Sequence, residues 1–124
     1  MCIVCKQTPD TITLEKSETG FSSSPVIVCR NCGHVVSCPD HCIQMNGMFL
    51  HTFANPQGHV FEIGCFSQAQ GCIPASQASM EFTWFFGYAW RIGVCANCAG
   101  HLGWIFTCEG DRFFGLIVDK LIFP

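Results

Sequence analysis

The stretch WFFGYAWRIGVCANCAGHLGW, residues 84–104, decides how this chain reads. It holds all three tryptophans of the protein and, between the second and the third, a Cys-x-x-Cys pair, Cys95 and Cys98. Two cysteines at this spacing place both sulfurs on one side of a tight turn, at the bite a tetrahedral ion requires. A second pair, Cys29 and Cys32, lies upstream in VIVCRNCG, residues 26–33, where a short strand runs into a knuckle and Gly33 supplies the tight turn. The two pairs are expected to make a four-thiolate site for one Zn2+, the alternative being four free or disulfide-bonded thiols. With every position filled by sulfur the site is closed and structural, with no place for a reactive water. Sixty-two residues lie between Cys32 and Cys95, so the metal joins the start of the domain to its last third and restricts the unfolded chain. A rival set, Cys29 and Cys32 with two of His34, Cys38, His41 and Cys42, would strand Cys95 and Cys98.

Around this stretch the chain breaks into short apolar runs separated by Gly, Pro and Asn. Strands are expected at residues 26–29, 59–66, 80–85, 91–95, 102–106 and 113–118. No segment sustains a helical apolar period over three turns; CFSQAQG, residues 65–71, is the one helical candidate and is too short to change the class. The pattern is all-β. Residues 1–24 turn polar after Cys5 and end in GFSSS, which reads as a leader or linker, and residues 25–124 read as one domain.

Composition narrows the function. The chain has 124 residues, 49% hydrophobic and 12% charged, with 12 Phe. That is enough for one packed core and excludes a largely disordered chain. A net charge of −3 with six basic residues gives no footprint for a phosphate backbone, so nucleic acid is not an expected partner. No run of about eighteen apolar residues is present, so no membrane-spanning helix is expected. The N-terminal stretch lacks the basic start and apolar core of a secretory signal. Eleven cysteines leave the compartment open: a cytoplasmic location is expected, with a secreted mature form as the alternative. Cys65 and Cys72 sit in apolar stretches and read as ordinary buried thiols.

If Trp84 and Trp90 lie on neighbouring strands either side of a turn at 85–88, they can face one side. Trp104 and Phe106 share parity on the next strand, and Phe82 shares it with Trp84. Three converging indoles would enclose a slot the width of a small ring. The residues alone leave two outcomes open, packed core or aromatic cage. A cage could take a quaternary ammonium by cation–π attraction, with Glu81 as the nearby acid. It could equally take a neutral cyclic imide or uracil-like ring, carbons on the indoles and polar edges on the backbone.

EFTWFFGYAW (81–90), CANCAGHLGW (95–104) and FFGL (113–116) together resemble the thalidomide-binding domain, or CULT domain, of the cereblon family. The similarity runs over roughly residues 26–121; the Cys29 knuckle and Asn55-Pro56-x-Gly58 fall where the family has them. Residues 65–71 look like a variant found in its single-domain members. The resemblance implies two antiparallel sheets meeting at a steep angle and pinned by one structural zinc, a β-tent-like fold. It implies a non-catalytic binding function, a pocket for glutarimide and related cyclic imides. Its guests would be thalidomide-type drugs or proteins ending in a cyclic imide. Carried over, Trp84, Trp90 and Trp104 are the walls, Phe106 flanks the ring, and Asn55 and Pro56 form the rim. The backbone of Phe82 and Trp84 would hydrogen-bond the imide. Phe82 and Gln57 stand where cereblon itself has histidines. No Lon-like region and no helical segment for a ligase adaptor is evident, so adaptor binding is not expected of this chain alone. Two other readings stay in play: a methionine sulfoxide reductase-like enzyme using Cys108 and His101, and an aromatic-cage reader of methylated amines.

Overall fold

A computed structural model describes residues 24–124. The leader read at residues 1–24, with Cys2 and Cys5, lies outside the described residues except for Ser24. Nine strands are described: β1 (Ile27–Cys29), β2 (Val35–Ser37), β3 (Leu50–Ala54), β4 (Val60–Phe66), β5 (Cys72–Pro74), β6 (Ala89–Cys95), β7 (His101–Cys108), β8 (Asp111–Ile117) and β9 (Leu121–Ile122). They form two antiparallel sheets, one of order β2-β1-β9 and one of order β3-β4-β8-β7-β6-β5. Two single 3-10 turns, Pro39–His41 and Val118–Lys120, are the only helical elements among the described residues. The fold is all-β, as the turn-punctuated apolar runs imply.

Apolar residues cover both faces of the large sheet. One face, with Phe66, Leu102, Ile105, Phe114 and Leu116, packs against Ile27, Cys29, Val36 and Leu121 of the small sheet. The other face, with Ile63, Cys65, Phe106, Phe113 and Ile117, is covered by Phe85 and by the half-buried Trp84, Trp90 and Trp104. Two-sided burial explains why β8 reads as the unbroken apolar run FFGLI rather than as an alternating strand.

Two expectations are corrected. Residues 65–71 are not helical: β4 continues through Phe66, and the remainder is turn that leads into β5. Residues 80–85 do not form a strand. Only Ser79 pairs with Trp90, through two backbone hydrogen bonds of 2.9 and 2.8 Å. Beyond it, Phe82 takes the left-handed conformation, φ 56°, and the Thr83 hydroxyl donates to the Tyr88 carbonyl at 2.6 Å. The Tyr88 N–H turns back to the Phe85 carbonyl at 2.9 Å. A local hydroxyl and a tight turn here capture backbone groups that a ladder would need.

Gly103 sets the facing of β7. The β6–β7 register shifts beside its partner Gly93, so Leu102 and Ile105 face the inter-sheet core while Trp104 and Phe106 face the other side. A Cβ at Gly103 would meet the Gly115 carbonyl oxygen at 2.1 Å and the Leu116 Cα at 2.8 Å. Both are backbone atoms of β8, which cannot swing aside. Gly103→Ala is therefore expected to lower stability by about 3 kcal/mol or more, with β7 and β8 forced apart. Urea unfolding of the zinc-loaded protein measures this, and a midpoint equal to that of the parent would contradict the packing.

Candidate metal centre and aromatic cleft

The two knuckles are built alike. The Cys29 N–H donates to the His34 carbonyl at 2.8 Å, and the Cys95 N–H to the Gly100 carbonyl at 2.8 Å. The Gly33 N–H returns to the Cys29 carbonyl at 2.8 Å, and the Ala99 N–H to the Cys95 carbonyl at 2.9 Å. The residue closing each turn is left-handed, Gly33 at φ 82° and Ala99 at φ 66°. Glycine suits that position, as the sequence suggests for the first knuckle; alanine occupies it in the second against its preference.

These turns bring the sulfurs of Cys29, Cys32, Cys95 and Cys98 within 4.8 Å of one another. Cys29 Sγ is 3.8 Å from Cys98 Sγ, and Cys32 Sγ is 3.6 Å from Cys95 Sγ. A tetrahedron with metal–sulfur bonds of about 2.3 Å has edges of about 3.8 Å, so the cluster fits one structural zinc. The rival set does not assemble: His34, Cys38, His41 and Cys42 are not part of the group. Donors surround the sulfurs. The Asn31 side-chain amide and the Gly100 N–H each reach Cys98 Sγ at 3.4 Å, and the Asn97 N–H reaches Cys95 Sγ at 3.4 Å. The Asn31 contact is the main reason the Cys98 thiol is pulled down to about 6, whereas burial pushes Cys29 up to about 11. A divalent ion supplies the positive charge that holds all four as thiolates. Cys29 ends β1 of the small sheet and Cys95 ends β6 of the large one, so the metal fastens one sheet to the other.

On the far face of the large sheet lies a cleft of about 550 Å³. Trp84, Trp90 and Trp104 all line it, as do Phe82, Phe106, Asn55 and Pro56. Trp90 and Trp104 come from β6 and β7; Trp84 comes from the loop between Ser79 and Tyr88 rather than from a strand. Phe85 anchors this loop: it is buried, with ring centroids 5.0 Å from both Phe106 and Phe113 and 5.2 Å from His51. Trp84 stacks on Phe53 at 4.8 Å, and its edge contact with Trp104 is at 4.7 Å. The Trp90 indole N–H donates to the Glu81 carbonyl at 2.8 Å, which fixes the ring and ties the loop to β6. Asn55 is held by its own turn, its side-chain oxygen accepting from the Gln57 and His59 N–H groups at 3.0 and 2.9 Å.

Phe61, Ile92 and His101 also line the cleft and were not foreseen as doing so. Phe61 and Phe53 are register partners on β4 and β3, so a hairpin closed by the Asn55–Pro56 turn was the signal that could have found them. His101 packs edge-on against Trp104 at 4.9 Å and meets the Gly103 carbonyl at 3.0 Å. Burial holds its imidazole below the usual value, favouring the neutral ring. Glu81 is the one acidic residue lining the cleft among the described residues. None of the described cysteines lines it. Cys108 and His101 stand at opposite ends of the eight-residue β7, about 23 Å apart at strand rise, too far for a thiol and its base to act together.

No family model matches the chain. Protein cereblon of Drosophila erecta is 31% identical over 116 residues, which cover 83% of this chain and 19% of that protein. Protein cereblon of Xenopus tropicalis is 30% identical over 124 residues, 96% of this chain and 23% of that protein. Protein cereblon of Gallus gallus is 32% identical over 78 residues, 59% of this chain and 18% of that protein. The chain thus spans about a fifth of the length of the curated relatives it matches.

Proposed function

We propose that this chain, which carries a cereblon-family CULT domain, is a non-catalytic receptor for cyclic imides, either free glutarimide-type compounds or proteins ending in a cyclised residue. The observation that carries this reading is the convergence of three indoles from two strands and a loop on one open cleft. The saturated carbons of a small imide ring would pack against Trp84, Trp90 and Trp104, and its N–H and carbonyls would meet backbone groups of the loop around Phe82 and Trp84. The Trp90 indole N–H is already taken by the Glu81 carbonyl, so this ring offers its guest hydrocarbon surface rather than a donor.

Glu81 favours one competing guest, a methylated ammonium, by adding a negative charge to the aromatic walls. A titration followed by tryptophan fluorescence separates the two, using glutarimide, uridine and trimethyl-lysine with zinc measured in the same sample. Glutarimide is expected to give a saturable change and to bind at least tenfold more tightly than trimethyl-lysine. Saturation by trimethyl-lysine alone would overturn the imide reading in favour of an amine reader.

A further inference from the structure

Phe82 combines three properties that a core residue does not share. It lines the cleft, the residue is 73% exposed, and its backbone is left-handed at φ 56°. A bulky residue in that conformation is disfavoured and persists only where its neighbours impose it. Those neighbours are identifiable. The Glu81 N–H donates to the Ser79 hydroxyl at 3.0 Å, and the Glu81 carbonyl accepts the Trp90 indole N–H at 2.8 Å. Ser79 is in turn bonded twice to the Trp90 backbone. The residue before Phe82 is thus clamped to β6, and an aromatic ring is held in solvent at the cleft mouth. Pro56 lines the same cleft and adds further apolar surface.

We infer that Phe82 is a specificity-determining residue for the part of the guest that projects from the cleft: a protein ending in a cyclic imide is preferred when the residue preceding the cyclised one is apolar. This rests on the imide reading above and adds to it a choice among imide-bearing chain ends. The physical basis is simple. A ring sequestered among the indoles leaves its attached chain to pass the mouth, where the exposed Phe82 face is the available apolar surface. Covering that face with Leu or Phe removes hydrocarbon from water on both partners, whereas Gly or Ser covers little.

The test uses the zinc-loaded full chain and two sets of probes, free glutarimide and short peptides ending in a cyclic glutarimide. The residue before the cyclised one is Phe, Leu, Gly or Ser. Peptides with Phe or Leu are expected to bind about fivefold to tenfold more tightly than those with Gly or Ser, and Phe82→Ala is expected to erase most of that difference. Equal affinities across the peptides, with free glutarimide still bound, would overturn this inference and leave the imide reading standing. A preference that survives unchanged in Phe82→Ala would also overturn it. Failure of the parent chain to bind glutarimide or any of the peptides would sink both.

Discussion

Cys95→Ser is expected to strip the zinc from the protein and unfold the domain. Four sulfurs within 4.8 Å of one another are the only such group among the described residues, and they join the end of β1 to the end of β6. Structural zinc in small four-ligand sites contributes on the order of 10 kcal/mol of apparent free energy. A domain of this size has a total stability of about 5–15 kcal/mol, so loss of the ion removes most of it. Metal content measured beside near-ultraviolet circular dichroism should fall from one zinc per chain to none, with the aromatic signal lost in parallel. Cys108→Ser is the control: that thiol lies at the far end of β7, outside the metal group, and zinc and signal should both persist. A Cys95→Ser protein that stays folded with zinc bound would show that the thiolate cluster is not what holds the sheets together.

Trp90→Ala is expected to weaken glutarimide binding by a hundredfold or more while leaving zinc content intact. The substitution removes one wall of the cleft and frees the Glu81 carbonyl, so the loop carrying Phe82 and Trp84 keeps its backbone bonds at Ser79 but loses its side-chain tie to β6. Trp90→Phe separates the two effects, since it keeps an apolar ring but cannot donate to Glu81. Its affinity should fall between those of the parent and of the alanine variant. Equal affinity in Trp90→Ala and the parent, measured by fluorescence polarisation of a labelled glutarimide, would end the assignment of the cleft as the binding site.

The metal centre was legible because a Cys-x-x-Cys knuckle is local chemistry: the ligand bite is set by two intervening residues and a left-handed residue directly after the second cysteine. Pairing two knuckles across the chain then required only that no cysteine pair be stranded. The strands at β4, β6, β7 and β8 were legible from local pattern too, as short runs rich in apolar and aromatic residues with Gly or Asn in the turns close by. Trp84 was misplaced on a strand because the alternation around it imitates one. What broke the strand was a side chain, the Thr83 hydroxyl bonding to Tyr88, together with the left-handed Phe82. Composition does not register such a competition. The support behind Trp84 was hidden for another reason. Phe61 reaches the cleft and Phe53 backs Trp84 from a hairpin more than twenty residues upstream, and which hairpin face meets which loop is settled by tertiary packing alone.

The large sheet has unequal covers. A second sheet, fastened by four thiolates, closes one side; a single stretch of chain plugged in by Phe85 closes much of the other. Rigidity and adaptability are thereby assigned to opposite sides of one scaffold. Substitutions at the exposed positions of that stretch, Phe82 and Phe86, can change the surface it presents without touching the buried Phe85 that holds it in place. A lineage built this way can vary the mouth of its cleft one exposed residue at a time, on a frame that has no need to change with it.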